Sequence, residues 1–271
     1  MIEPPADWRA VNLANWDERV PIHLAGGHYD VAGFVAGQTR LREFEFDEVG
    51  DVTGRTLLHL QCHIGLDTLS WARRGATVTG LDFSASAVDA ARSIAERIGA
   101  DSARFVTSDV YDAVAALDGQ TFDVVYTGIG ALCWLPDMES WARTAAALVA
   151  PGGFLYLAEF HPFADVLGED GRSVEEDYFD RGPHAWDLPG TYADRDAPMK
   201  ATMTVDWQHG IGEVVSALTA AGLRLEFLHE HDTTFFPRFA VLEEDRGSYR
   251  FPAGQPRVPL VYSLRAAKER R

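Results

Sequence analysis

Hydrophobic positions between residues 53 and 159 follow two periods in turn. Short apolar runs of strand length alternate with stretches of helical period, in one of which Val88, Ala91, Ala95 and Ile98 recur at i, i+3, i+7 and i+10. Strands that alternate with helices indicate βαβ units, and hence a parallel sheet covered by helices on both faces. The apolar runs predict five strands, at Leu57–Leu60, Thr77–Leu81, Phe105–Val106, Phe122–Thr127 and Phe154–Ala158.

Polar and turn-forming residues punctuate these runs. A helix is predicted over Asp67–Arg74, and two more begin after Ser84 and Asp137, whose side chains can cap them. Pro151-Gly152-Gly153 predicts a turn before the fifth strand.

The regions on either side of this core have different patterns. Residues 1–52 predict a helical cap, with helices over Trp8–Arg19 and Tyr29–Phe46. Residues 160–206 are rich in Asp, Glu, Gly and Pro but carry scattered aromatic side chains, which favours an ordered lid inserted after the fifth strand. Residues 207–271 return to the pattern of the core, with a helix over Gly212–Ala221 and strands at Leu223–His229 and Val258–Arg265.

Composition narrows the class of protein. The chain has 271 residues and a net charge of −17, so nucleic acid and anionic membranes are poor partners. No apolar stretch reaches the ~20 residues needed to cross a bilayer, and MIEPPADWRA does not resemble a signal peptide. The two cysteines, Cys62 and Cys133, fit a reducing compartment and lack metal-ligand spacing. We therefore expect a cytoplasmic protein that binds no metal.

A single acidic residue is placed where a nucleoside would bind. Asp82 follows the second strand, 21 positions after Gln61, which follows the first strand. Parallel topology brings these two strand ends together, and a carboxylate there can accept hydrogen bonds from both hydroxyls of a ribose.

At this point the sequence resembles the class I S-adenosylmethionine-dependent methyltransferases, and within them the type 11 small-molecule branch. The resemblance spans about residues 40 to 265 and is carried by TLSWARRGATVTGLDFSASAVDAAR, FDVVYTGIGALCWLPDMESWARTAAALVAPGGFLYLAEF and AGLRLEFL. It implies a Rossmann-like doubly wound sheet of about seven strands, mostly parallel with the last strand antiparallel. It also implies S-adenosylmethionine as the cofactor and a small molecule as the methyl acceptor, with O- or N-methylation expected.

The family's first motif is altered here, because Gln61 and His63 take its first two glycine positions and only Gly65 remains. Position by position, the resemblance implies that the backbone of Gln61 and His63 borders the methionine moiety and that Gly65 allows close approach. It further implies that Asp82 holds the ribose, Phe83 covers the adenine, Asp109 and Val110 meet the adenine edge, and Thr127 faces the methionine ammonium.

A general base is needed only if the acceptor must lose a proton. His161 is the candidate, because it follows the fifth strand at the same rim and an unperturbed imidazole titrates near neutrality. A histidine that caps the turn before Pro162 is the competing interpretation, and His28 and Tyr29 are the second choices.

Two other functions stay open at this stage. A dinucleotide-dependent oxidoreductase would need glycines where Gln61, His63 and Leu66 stand, so its pyrophosphate would be obstructed. A protein with this fold that only binds a nucleoside or a partner is also consistent with the altered loop.

Overall fold

A computed structural model describes residues 2–270. Its main feature is a sheet of seven strands, which are β1 (Thr56–Leu60), β2 (Thr77–Asp82), β3 (Arg104–Thr107), β4 (Phe122–Thr127), β5 (Val149–Phe160), β8 (Arg224–His231) and β12 (Val261–Ala267). Their order in the sheet is β3-β2-β1-β4-β5-β12-β8. The strands β1 to β5 run parallel to one another, whereas β12 lies antiparallel between β5 and β8. The expected sheet of about seven strands, mostly parallel and with the last strand antiparallel, is confirmed.

Helices pack on both faces of this sheet. Ser84 and Asp137 cap their helices as expected, since their side chains accept hydrogen bonds from the backbone N–H groups of Ala87 and Ser140. The helices of the described residues are α1 (Trp8–Ala25), α2 (Val31–Val35), α3 (Glu43–Val49), α4 (Leu66–Arg73), α5 (Ala85–Arg97), α6 (Ala113–Ala116), α7 (Met138–Leu148), α8 (Pro162–Asp165) and α9 (Ile211–Ala220).

The order of the strands determines where a ligand can lie. β1 pairs with β2 on one side and with β4 on the other, so the chain changes direction across the sheet at β1. In open parallel sheets this reversal leaves a crevice beyond the carboxyl ends of the strands. The loops after β1, β2, β3 and β4 therefore converge on one rim.

The N-terminal region differs from its predicted pattern. α1 continues past Arg19 to Ala25, but the single helix expected over Tyr29–Phe46 is wrong, because α2 and α3 are separate. Gly37 between them has φ +117°, a conformation that a helix does not contain. α3 is fixed to the sheet by the phenols of Tyr126 and Tyr156, which donate to Glu45 and Glu48.

The region after β5 contains more regular structure than the pattern predicts. The predicted turn at Pro151–Gly153 lies inside β5, where the pairing with β4 is irregular. Residues 160–206 contain α8 and an antiparallel pair, β6 (His184–Asp187) and β7 (Met203–Asp206). A second small sheet was not anticipated, and its strands are β9 (Thr233–Thr234), β10 (Glu243–Asp245) and β11 (Ser248–Arg250).

No helix among residues 2–270 is both long and apolar enough to cross a membrane.

Candidate functional site

The loop after β1 keeps a glycine-type backbone without glycines at two of its positions. Gln61, His63 and Gly65 have φ of 58°, 48° and 75°, so alternate residues of the loop are left-handed. Such a conformation is uncommon for a glutamine and costs roughly 1–2 kcal/mol outside glycine. Strain of this kind persists where surrounding contacts hold it, and it concentrates at functional sites.

Gly65 is the one position of the three where a side chain has no room. A Cβ built there would lie 2.8 Å from the Cβ of Ala91 and 2.8 Å from Cε1 of Phe105. The close approach lets α4 begin directly after the loop, so that the loop turns tightly beside the end of β2.

Asp82 joins the ends of β1 and β2. Its Oδ2 accepts the backbone N–H of His63 at 2.8 Å, and its Oδ1 accepts that of Ser84 at 3.0 Å. Burial raises the pKa of the Asp82 carboxyl to about 6, although the hydrogen bonds from Ser84 and His63 act in the opposite direction. Each oxygen retains acceptor capacity, so the carboxylate can still take hydrogen bonds from a ligand.

A small cleft opens beside these residues. Asp109, one of its lining residues, caps the turn after β3 by accepting the N–H of Tyr111 and also pairs with Arg9 of α1 at 3.0 Å. Four of the expected cofactor residues, Gln61, Phe83, Asp109 and Val110, line this cleft, and Trp8, Asn12 and Trp134 close its other side. The full lining is Trp8, Asn12, Gln61, Leu81, Phe83, Ser108, Asp109, Val110, Trp134 and Leu135.

Thr127 is fully buried at the end of β4, and its hydroxyl oxygen has no hydrogen-bond partner among the described residues. The loop after it is organised by a residue that sequence reasoning missed. Glu159, near the end of β5, accepts backbone N–H groups of Gly130, Ala131 and Leu132. Burial raises the pKa of Glu159 to about 7. The sequence signal that could have identified Glu159 is its position near the end of the fifth strand, beside the strand that ends in Thr127 and at the same rim.

His161 has both ring nitrogens engaged within the protein. Its Nδ1 accepts the N–H of Phe163 at the start of α8, and its Nε2 lies 2.9 Å from Oε1 of Glu230. Only 6% of the residue is exposed, and burial lowers its pKa. This is the geometry of the turn-capping interpretation, and the base role of His161 stays a prediction.

Seven side chains from distant parts of the chain meet above the first loop, and we call them the aromatic cluster. His23 Nδ1 lies 2.9 Å from His63 Nε2, and the Tyr29 and Tyr192 hydroxyls are hydrogen-bonded to each other on the outer side. Burial lowers the pKa of His23 to about 2 and that of His63 to about 3, so both imidazoles are neutral. The members of the aromatic cluster are Trp16, Arg19, His23, Tyr29, His63, Trp134 and Tyr192.

Of this set, the sequence predicts a role in binding or catalysis only for His63 and Tyr29. No local spacing connects positions 16, 63, 134 and 192. Only the tertiary fold brings them together.

α1 closes the rim through polar contacts at both of its sides. Asp17 accepts hydrogen bonds from the hydroxyls of Ser84 and Ser86, beside Asp82. Asn12 exchanges two hydrogen bonds with the backbone of Val205, and Glu18 accepts the N–H groups of Lys200 and Ala201. The N-terminal region and the end of the 160–206 insertion are therefore joined over the same strand ends.

The metal-ligating side chains of residues 2–270 form no group of three or more that could hold an ion. His229 contacts Glu48, and His231 contacts Ser263.

Comparisons with known proteins agree on one family. The model of a methyltransferase domain matches residues 58–155. A ubiquinone biosynthesis O-methyltransferase of Methylobacterium sp. (strain 4-46) is 30% identical over 176 residues, which are 64% of this chain and 69% of that protein.

Solved structures show the same fold. An S-adenosylmethionine-dependent methyltransferase of Mesorhizobium loti matches with a TM-score of 0.57 and 21% identity, over 86% of this chain and all of that one. Magnesium protoporphyrin IX methyltransferase of Synechocystis PCC 6803, with bound S-adenosylhomocysteine, matches with a TM-score of 0.51 and 16% identity, over 94% of this chain and all of that one.

Proposed function

This chain belongs to the class I S-adenosylmethionine-dependent methyltransferases that act on small molecules, and we propose that it methylates a hydroxyl oxygen of its acceptor. The observation that carries the proposal is the cleft at the ends of β1 to β4, with Asp82 buried beside the left-handed first loop. The choice of oxygen follows the relatives that are named O-methyltransferases. Methylation of a nitrogen is the alternative.

The residues of the cleft suit the parts of the donor. Asp82 would accept the ribose hydroxyls, Phe83 would cover the adenine, and Asp109 with Val110 would meet the adenine edge. Bound S-adenosylmethionine supplies an electrophilic methyl group on a sulfonium. Acidic and aromatic side chains, with no cluster of phosphate-binding cations, fit a cationic nucleoside better than a dinucleotide.

The methionine end would lie along the first loop. There Gly65 permits close approach, the backbone of Gln61 and His63 borders the chain of the ligand, and the unpartnered hydroxyl oxygen of Thr127 can accept a hydrogen bond from the ammonium group. A buried acceptor without a partner is costly, so a donor from the ligand would compensate it.

Alignment and exclusion of water are the main contributions of the protein to an in-line transfer. Holding two reactants in position can lower the barrier by up to ~7–11 kcal/mol. We assign this closing role to α1 together with the 160–206 insertion, which the contacts of Asn12 and Glu18 join.

A hydroxyl group that receives the methyl group must lose its proton, and we place the base that takes this proton at the His63–His23 pair. Both imidazoles are neutral and can accept a hydrogen bond from the hydroxyl, and because burial keeps the pKa of each low, the proton is passed on to water rather than kept on the pair. His63 belongs to the loop that borders the methionine end. His23 Nε2 is buried without a partner, so the pair has unused hydrogen-bonding capacity. His161, whose nitrogens are both engaged, is the rival assignment.

The net charge of −17 favours an acceptor other than nucleic acid, and the two unpaired cysteines favour the cytoplasm. Neither the oxidoreductase nor the non-catalytic binding protein gains support from the comparisons.

Calorimetry with S-adenosylhomocysteine tests the donor site, and production of S-adenosylhomocysteine from S-adenosylmethionine with a panel of phenols, catechols and amines tests the reaction. We expect binding to the wild type, a clear loss in Asp82→Ala, and turnover with at least one hydroxyl compound. Absence of binding to the folded wild type would overturn the proposed function. Binding without turnover on any of the panel would favour the non-catalytic alternative.

A further inference from the structure

Arg19 is a buried cation in the aromatic cluster. Its residue is 9% exposed, and its guanidinium carbon lies 4.7 Å from the ring centre of Trp16, 5.6 Å from that of Trp134 and 5.5 Å from that of Tyr192. The buried Nε has no hydrogen-bond partner, and no carboxylate among residues 2–270 forms an ion pair with Arg19.

The surroundings of Arg19 supply no negative charge. His23 and His63 are neutral because burial lowers the pKa of each, and burial raises the pKa of the Tyr29 and Cys133 side chains. Arginine keeps its proton in proteins, so Arg19 stays positively charged in these surroundings. Burial of a charge is unfavourable unless it is paired, so an unpaired guanidinium at this position indicates a missing anion.

Arg42 provides a comparison within the same chain, because it is a cation with a carboxylate partner inside the protein. It lies at the start of α3, and its Nη1 is 3.4 Å from Oε2 of Glu45, which is fully buried. The side chain thus has an internal carboxylate partner, whereas Arg19, which is itself almost fully buried, has none.

We propose that Arg19 binds a carboxylate group of the methyl acceptor. The inference rests on the proposed function, and it names the chemical class of the acceptor: a small organic acid with a flat body that fits against Trp16 and Trp134. A guanidinium presents a planar fork that matches a carboxylate with two parallel hydrogen bonds. Trp134 also lines the cleft, so a carboxylate at Arg19 would hold the acceptor next to the donor site.

The segments that build this position favour the acceptor over the donor as the source of the carboxylate. The donor is common to the family, and the methyltransferase-domain model covers residues 58–155. Arg19, Trp16 and Tyr192 all lie outside that range, in α1 and the 160–206 insertion. Tyr192 is 51% exposed and meets Tyr29 on the outer side, which gives the acceptor a side from which to enter.

The test uses benzoate and its neutral isostere benzamide, titrated calorimetrically into the full chain with and without saturating S-adenosylhomocysteine. The variant is Arg19→Gln, and Arg97→Gln at the exposed end of α5 is the control for loss of one positive charge. We expect the wild type to prefer benzoate to benzamide by about tenfold or more, Arg19→Gln to lose that preference, and Arg97→Gln to retain it. Affinity for S-adenosylhomocysteine should be equal in all three proteins.

Other results would overturn the proposal. These are equal binding of the two probes to the wild type, a preference for benzoate that survives in Arg19→Gln, or a loss of S-adenosylhomocysteine affinity in that variant, which would assign Arg19 to the donor's carboxylate. Should Arg19→Gln fail to fold, Arg19→Lys keeps the charge but removes the fork, and it should bind benzoate several-fold more weakly with unchanged S-adenosylhomocysteine affinity. Failure of the proposed function itself is distinguishable, because it shows as absence of S-adenosylhomocysteine binding to the wild type.

Discussion

The rim of the sheet has two sides that are built in different ways. On the donor side, Gln61, Asp82, Asp109 and Thr127 each lie within two residues of the end of a parallel strand, so the sheet itself positions them. On the opposite side, the aromatic cluster assembles from α1, the first loop, the segment before α7 and the 160–206 insertion. The first set is held by backbone hydrogen bonds, and the second mainly by ring contacts.

This difference separates what is fixed from what can vary. Strand ends that carry caps and backbone hydrogen bonds leave little freedom, which suits a donor that stays the same across a family. A cluster that depends on packing between an N-terminal helix and an insertion can change its side chains without disturbing the sheet. We therefore expect substitutions on the donor side to alter cofactor affinity or folding, and substitutions in the aromatic cluster to alter the reaction.

The largest effect is expected at the proposed base. His63→Asn removes the imidazole but keeps a residue that tolerates the left-handed backbone. It should lower the single-turnover rate by the ~10²–10⁴-fold typical of general acid–base catalysis, with S-adenosylhomocysteine affinity little changed. The rate is measured with saturating donor and the acceptor found in the panel.

His161→Ala is the matched comparison for that experiment. It removes the acceptor for the N–H of Phe163 and the contact with Glu230, so it should lower stability by about 1 kcal/mol and leave the chemical step near normal. A large loss of rate in His161→Ala, with normal rates in His63→Asn, would return the base to His161.

A large loss of stability is expected at Gly65. An alanine there would place its Cβ 2.8 Å from both Ala91 and Phe105 and would take a left-handed conformation. Overpacking and backbone strain together should reduce the free energy of unfolding by roughly 2–5 kcal/mol, as measured by denaturant titration. Gly212→Ala, at a position with nothing within 4 Å, is the control and should be neutral or slightly stabilising.

The two sides also differ in how far the sequence predicts them. The spacing from Gln61 to Asp82 and the capping residues Ser84 and Asp137 are local signals, and the structure reproduces the elements that they predict. Arg19 and His23 lie at i and i+4 on one face of α1, but no local spacing connects them with Trp134 and Tyr192, because contacts between residues more than a hundred positions apart leave no local pattern. The same reason explains the missed sheet of β9 to β11, whose strands have two or three residues each.

Acidic pH should weaken the donor side. Because burial raises the pKa of Asp82 to about 6, the carboxylate is mostly ionised at pH 7 and mostly protonated at pH 5. A protonated carboxyl cannot accept two ribose hydroxyls equally well, so affinity for S-adenosylhomocysteine should fall by about tenfold over this range. Calorimetry at several pH values checks this, and Asp82→Asn should bind weakly with no such dependence. A pH profile that is the same in both proteins would remove Asp82 from ribose binding.

The smallest effect is expected at Gln61, where two substitutions separate the contribution of the strained backbone from that of the side chain. Gln61→Ala keeps the left-handed conformation but removes the hydrogen bond from Nε2 to the carbonyl oxygen of Ala131, 2.9 Å away, and should cost about 0.5–1.5 kcal/mol. Gln61→Gly removes the same bond but also releases the strain, worth roughly 1–2 kcal/mol, against the larger backbone entropy that glycine has in the unfolded chain. The glycine variant should therefore be as stable as the wild type or nearly so, and more stable than the alanine variant in denaturant titrations.

Because the bond to Ala131 connects the first loop with the loop after β4, both variants should bind S-adenosylhomocysteine several-fold more weakly despite their different stabilities. If affinity instead follows stability, with the glycine variant binding as well as the wild type, then Gln61 serves the loop's backbone alone and its side chain has no part in the donor site.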